Sequence, residues 1–566
     1  MDHHGDDDDA PTFRQLTEEL VATKSALAAI CRASSSKEDL LSLAAVNKSF
    51  HEVAHSEHVW DRLYERDFPY FYGNLVARRR RDRRFVSYDD PNDSGVHVPW
   101  FTEYKKRHHR ERCWQTGNLS RKAPLTLGGH LGCVFGACFL GAPFTPGTIC
   151  TGAHLDRTSV PAASSSSSSS SSGGEIKMWL PNRGTTIEQV VREYGGSGDE
   201  ESNPSVGGVQ AIPEGMDVET FTKQEIARAG VLSLYQLPGT AQIACTTWKS
   251  GVHILRCRAV AEEVEQRYGN GDGNGEGKGG NAGRKRMKRD TADQNQRNSK
   301  GYSFDAVLEV MGQEAPCSKT FVDKKSRILA LPSYDGAVRL YLLPRWITDC
   351  GEIAEEERED GAGKAPKNDN SKPKIHPSST LYDDAKFEIR GEDGTNTTGT
   401  RAPVTALTMS DDCKRMFTGS NDTLVKLWDM EREKIVHRFE GHEGFIWNVK
   451  GLDADLNNAV STSTDGFARR WDLRQRTCAG SINVCAHPGN VQAVTGVALR
   501  GNGYHMAVGS FDSNVYVLDT RMMRRLYSVG RHGDKVCRAH LYDKGDCGDL
   551  LMTTGWDRTV RLWQFD

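Results

Sequence analysis

Four stretches near the C-terminal end share one pattern of apolar and polar positions. They read FTGSNDTLVKLWD (417–429), STSTDGFARRWD (461–472), VGSFDSNVYVLD (508–519) and TTGWDRTVRLWQ (553–564). Each predicts a strand, a tight turn holding an Asp, and a second strand closing on Trp or Leu. The closing residues recur at a steady spacing. Trp428 to Trp471 is 43 residues, Leu518 lies 47 further on, and Trp563 another 45. A different pattern occupies the N-terminal part. Leu40, Leu43, Ala44 and Val46 repeat at helical spacing, and Phe50 and Val53 continue the apolar face. Ser35 or Ser36, followed three residues on by Glu38 or Asp39, supplies a capping box. Upstream, 13–31 reads as another helix, with Leu16, Leu20, Leu27 and Ile30 apolar.

The period of the C-terminal pattern resembles that of WD repeats, which build β-propellers from four-stranded blades. In a full repeat a Gly-His dipeptide precedes the first strand, and a buried chain of hydrogen bonds joins His, a turn Asp, a strand Ser or Thr and the Trp indole. His442, Asp465, Trp471 and either Ser461 or Ser463 fit it best; His532, Thr553, Asp557 and Trp563 follow. The copy between has His487, Ser510 and Asp512, but Leu518 replaces Trp. The copy at 403–429 has Ser420, Asp422 and Trp428 without the dipeptide. Weaker copies lie upstream: His130 with Trp179, the segment 230–255, and 326–343 with Asp335 and Tyr341. These predict seven blades, with six and eight as alternatives. The stretch 114–127 is expected to supply the outer strand of the last blade and close the ring, removing exposed sheet edges. The His, Asp and Ser sets are expected to hold blades together and not to catalyse.

Composition refines this picture. Only 37% of the 566 residues are hydrophobic, low for one large globule. Polar insertions account for much of that. Disorder is expected for the acidic tail 1–12 and near 156–175, 186–225, 263–302 and 352–400. The net charge of -3 argues against overall attraction to nucleic acid or membrane. The longest apolar run, 131–144, is too short to span a bilayer. The 14 cysteines include no CxxC pair, which reads as reduced thiols in a cytoplasmic or nuclear protein. No cofactor, metal or catalytic pocket is expected.

The N-terminal helical segment 13–68 resembles an F-box. Asp39, Leu40, Leu41, Leu43, Val46, Phe50, Val53, Ala54 and Trp60 stand where that pattern asks, with Phe50 for the more usual Trp. LTEEL (16–20) resembles the opening of the pattern, with Thr17 for Pro. Residues 69–113 read as linker helices with a basic run at 78–84, and 100–118 resembles the linker of F-box/WD-repeat proteins, ahead of a propeller at 114–566. The resemblance implies a substrate receptor of a cullin–RING ubiquitin ligase. Leu16, Leu20, Leu40, Leu41 and Val46 would then meet a Skp-type adaptor, which links to a cullin. The competing reading is a scaffold propeller with a helical cap and no ligase coupling.

A protein substrate is expected on the propeller face where the turns carrying Asp gather. The candidates there are Phe135, Tyr334, Phe445, Trp447, Phe511 and Trp556, an aromatic set suited to a binding hot spot. Packing between blades competes for Phe135 and Phe445. A phosphate-binding arginine set, Arg469, Arg531 and Arg558, is the minority alternative. Arg284, Lys285, Arg286, Lys288 and Arg289 form a nuclear-import candidate, against a plain solubilising charge run.

Overall fold

The computed structural model describes residues 57–69, 71–72, 99–117, 124–141, 143–145, 147–154, 174–182, 185–194, 215–221, 229–259, 302–323, 327–348, 373–382, 387–390, 396–485, 492–542 and 549–565. The chain divides into two compact units between Gln115 and Thr116.

In the first unit, the helix Glu57–Asp67 buries Val59, Trp60, Leu63 and Tyr64, one face by their spacing. A second helix, Trp100–Thr116, meets that face with aromatic rings. Trp60 lies 4.7 Å from Phe101 and 4.9 Å from Tyr104, and Tyr64 lies 5.6 Å from Trp100. The Tyr104 hydroxyl donates to Asp67 Oδ2 at 2.6 Å, and the Arg107 guanidinium covers the Phe71 ring at 3.0 Å. The adaptor candidates Leu16, Leu20, Leu40, Leu41 and Val46 lie outside the described residues.

The second unit is a seven-bladed β-propeller. Seven sheets follow one another along the chain, and in each the first strand is innermost. Blade one is Cys133–Leu140, Thr148–His154, Glu175–Pro181 and Met216–Phe221; blade two is Val231–Gln236, Gln242–Thr247, Val252–Ala259 and Tyr302–Val310. Blade three is Phe321–Val322, Ile328–Pro332, Ala337–Leu342 and Ser379–Tyr382. Blades four to seven begin with Val404–Met409, Ile446–Gly451, Val494–Leu499 and Val536–Tyr542.

The fourth strand of blade seven comes from the other end of the sequence. Leu125–Leu127 runs antiparallel to Val560–Phe565, pairing Leu125 with Leu562 and Leu127 with Val560. The expected closing strand is thus present but shorter than 114–127, because residues 114–116 finish a helix whose Cys113 and Trp114 are buried. Apolar residues of neighbouring blades merge around the ring. One cluster joins Leu127, Val134 and Trp179 to Met552 and Leu562 across the closure. Between blades six and seven, the fully buried Arg500 guanidinium donates to Asp549 Oδ2 at 2.7 Å.

Two of the expected disordered insertions contain structure. Within 186–225 lie the helix Ile187–Tyr194 and the strand Met216–Phe221. Ile187, Val190, Val191 and Met216 are buried with Trp179, so the polar surroundings hid an apolar face. The helix opens with a capping box: Thr186 N–H donates to Gln189 Oε1 at 2.8 Å, and Gln189 N–H to Thr186 Oγ1 at 3.3 Å. Within 352–400, Ser379–Tyr382 is the outer strand of blade three, and Lys374–Ile375 pairs in parallel with the outer strand of blade two.

The blade-bonding sets are in place. In blade five the Trp471 indole donates to Ser461 Oγ at 2.8 Å, His442 Nε2 lies 2.7 Å from that oxygen, and His442 Nδ1 lies 2.7 Å from Asp465 Oδ2. The network has one consistent direction: indole to hydroxyl, hydroxyl to Nε2, Nδ1–H to carboxylate. Blade seven repeats it with Trp563, Thr553, His532 and Asp557. In blade four the indole of Trp428 donates to Thr418, and Ser420 instead accepts from Asp422 N–H. Ser461 rather than Ser463 serves blade five, for the same reason: the hydroxyl stands ten residues before the Trp, two along the second strand from the residue paired with it. Blade six has Val508 at that position, apolar like Leu518.

Blade one completes its set in a way the turn pattern does not announce. His130 Nε2 lies 2.8 Å from Thr151 Oγ1, which also accepts the Trp179 indole at 2.9 Å. His130 Nδ1 lies 2.9 Å from Glu175 Oε1, and Leu131 N–H donates to the same oxygen at 2.9 Å. Glu175 stands at the first residue of the third strand and takes the acceptor role that a turn Asp has in blades five and seven.

Candidate functional site

Antiparallel order fixes two ends of the propeller. Turns between second and third strands gather at one end; turns between first and second strands gather at the other. At the first end, the residue that opens the turn is Trp248 in blade two, Tyr334 in blade three, Phe511 in blade six and Trp556 in blade seven. Beside them stand Phe135 and Trp447, each near the start of an inner strand.

These six rings form one continuous arc. Tyr334 lies 6.5 Å from Trp248, Trp248 5.7 Å from Phe135, and Phe135 6.3 Å from Trp556. Trp556 lies 6.2 Å from Phe511, and Phe511 6.3 Å from Trp447. The spacings are those of favourable edge and tilted ring pairs. The arc passes through blades three, two, one, seven, six and five. It is interrupted at blade four, where Asn421 follows the second strand. The Lys535 ammonium sits 4.6 Å from the Trp556 ring and 5.0 Å from Phe511.

Exposure extends this surface. Trp556 is 37% exposed, and Phe445 (47%) and Leu131 (64%) lie in connections leading into inner strands at the same end. Among the described residues the indole N–H groups of Trp248 and Trp447 have no acceptor. Buried donors without a partner are uncommon in folded proteins.

Of the residues expected to bind substrate, Phe135, Tyr334, Trp447, Phe511 and Trp556 belong to the arc. Phe445 stands exposed beside it, whereas Phe135 packs between Trp248 of blade two and Trp556 of blade seven. Trp248 went unnoticed because its turn, Trp-Lys-Ser-Gly, has no Asp. The Trp-Lys-Ser-Gly turn itself, set between two strand patterns, was the available signal. Arg469, from the alternative set, is held in its own blade by Gly441 O at 3.0 Å and Asp465 at 3.6 Å. The import candidates Arg284, Lys285, Arg286, Lys288 and Arg289 lie outside the described residues. The described cysteines form no disulfide with one another.

Comparison with known proteins agrees with the fold. A family model described as "WD domain, G-beta repeat" matches residues 393–429, 433–472 and 526–564. The chain therefore carries WD repeats. It is 30% identical over 177 residues to the guanine nucleotide-binding protein subunit beta-1 of Nicotiana tabacum, covering 30% of this chain and 45% of the relative. It is 27% identical over 165 residues to the protein SPA1-RELATED 3 of Arabidopsis thaliana, covering 29% of this chain and 18% of that protein. The chain thus spans less than half the length of the curated relatives it matches. A WD-repeat propeller is in general a platform for protein–protein interaction.

Proposed function

We propose that this chain is the substrate-recognition subunit of an SCF-type (Skp–cullin–F-box) ubiquitin ligase. The aromatic end of the propeller holds the protein to be modified, and the segment 13–68 docks a Skp-type adaptor. The observation that carries the recognition half is the arc of six rings, with Leu131, Phe445 and Trp556 exposed beside and within it. Aromatic side chains dominate binding hot spots because they bury large area with little entropy loss. The ligase half rests on the F-box resemblance around Asp39 to Trp60 and on the order of parts, helical segment before propeller. The tobacco relative is by its name a subunit of a larger protein, as this reading also has it. The basic run 284–289 directs import to the nucleus in the same reading.

The test is affinity capture of the full chain with mass spectrometry, for wild type, Leu41→Arg and the double variant Trp447→Ala/Trp556→Ala. Wild type is expected to retain a Skp adaptor, a cullin and a further set of proteins. Leu41→Arg should lose the first two alone, and the double variant only the further set. A wild-type capture without adaptor and cullin overturns the ligase reading in favour of a scaffold.

A further inference from the structure

Within the ring, inward from the aromatic arc, the axis is lined by positive charge. Lys319 leads into the inner strand of blade three, Lys450 lies in that of blade five, and Arg538 and His540 lie in that of blade seven. Two of these side chains cross the axis. Arg538 Nη2 donates to Ser318 O at 3.0 Å, from blade seven to blade three. Lys319 Nζ donates to Trp447 O at 3.2 Å, from blade three to blade five. Neither pair of blades is adjacent, so both cations reach through the space enclosed by the inner strands.

Lys450 is exposed, and Lys319, Arg538 and His540 are half-buried, so water reaches all four. The surrounding protein nonetheless desolvates them. Burial, then the charges of Arg538 and Lys450, pulls the Lys319 ammonium well below the usual lysine range. Burial and Arg538 lower Lys450 as well. Burial, then Lys450, Arg538 and Lys319, holds the His540 imidazole at about 3. Among the described residues no carboxylate acts on any of these groups; Arg538 is otherwise influenced by Tyr334 and Cys537. Three cationic side chains, Lys319, Lys450 and Arg538, share a confined space, and among the described residues no counter-charge acts on them. Coulomb repulsion there is stronger than in bulk water, and an uncompensated buried charge is unfavourable. An anion in the bore relieves both.

We propose that the bore is an oxyanion site, taking a carboxylate or phosphate group that carries two or more negative charges in all. The group is either free in solution or borne by acidic side chains of the protein held on the arc. Only the second source rests on the recognition role proposed above. Lys319 and Arg538 are already aimed inward by their backbone contacts, and Lys450 adds a third charge.

Inorganic pyrophosphate is the probe, titrated calorimetrically into the full chain at fixed ionic strength set with chloride. Wild type should bind it, and Lys450→Met and Lys319→Met should each weaken binding at least tenfold. Two separate variants guard against one that misfolds, and circular dichroism checks both. No binding by wild type, or equal binding by the folded variants, overturns the proposal. Partner capture by the same variants separates the sources. Loss of capture together with pyrophosphate assigns the anion to the partner, and retained capture assigns it to a free ion. Trp556→Ala should still bind pyrophosphate, so failure of the rim as a partner site is read independently of the bore.

Discussion

Glu175 holds blade one together in the role that a turn Asp plays in blades five and seven. Its carboxylate accepts from both His130 and Leu131 N–H. Burial would raise its pKa, but the His130 hydrogen bond and the Leu131 N–H outweigh burial and keep it ionised. Glu175→Ala leaves both donors without their acceptor, and each orphaned buried group costs about 1–3 kcal/mol. Urea unfolding should show a lower midpoint, and an unchanged midpoint would contradict the assignment. Acid sensitivity is set by histidines kept neutral. Burial, then the Arg500 charge, lowers His505 to about 4. The unfolded chain titrates near 6.5, so it binds the extra proton first as pH falls. Stability from this residue is complete above about pH 6.5 and is lost toward pH 4, at up to about 1.4 kcal/mol per pH unit. His130, His532 and His540 are lowered in the same sense. His505→Asn should flatten the fall of the urea midpoint between pH 7 and 4.5; an identical slope would rule His505 out. At this scale the sequence was legible where spacing dictates geometry. Ten residues separate Ser461 from Trp471 and Thr553 from Trp563, and the bond follows. It was not legible where a longer side chain reaches from another position, as Glu175 does.

Among the elements, the strand Leu125–Leu127 carries the ring closure. It is only three residues long, but Leu125 and Leu127 are buried against Val560 and Leu562. Replacing 124–128 with a Gly-Ser linker of equal length exposes the edge of blade seven, and such edges recruit other chains. The variant should melt lower and oligomerise on a sizing column. A monomer with an unchanged melting temperature would show that closure does not depend on this strand. The closing strand was foreseen because 114–127 lies just before blade one, where ring closure needs a strand from the N-terminal side. The helix Ile187–Tyr194 was missed although Thr186 and Gln189 spell a capping box, because the surrounding composition is polar and glycine-rich. Local capping chemistry was the better guide there than average hydropathy. The connections from third to fourth strand in blades one, two and three are the long ones, 182–215, 260–301 and 343–378. They attach at the end opposite the aromatic arc.

For the molecule as a whole, seven blades were countable from the sequence even though the matched repeats cover only the C-terminal part. Weak blades keep the strand pattern but replace the bonding set: Leu518 with Val508 in blade six, and in blade three Tyr341, whose hydroxyl donates to Met311 O at 2.7 Å. Position in the repeat survived this drift better than residue identity. That is why Tyr334, Phe511 and Trp556 could be placed on one end from the sequence, while Trp248, lacking its marker Asp, could not. The central claim is that this end holds a protein partner. Photo-crosslinking tests it directly, with benzoylphenylalanine introduced at Phe445 in one protein and at Tyr504 in another. The two positions are 47% and 48% exposed, so accessibility is matched. Phe445 lies beside the arc, whereas Tyr504 lies in a turn between first and second strands at the other end. Crosslinks to a protein partner from position 445, and none from 504, are the expected result. A partner joined at 504 with comparable yield, and absent at 445, would contradict the account.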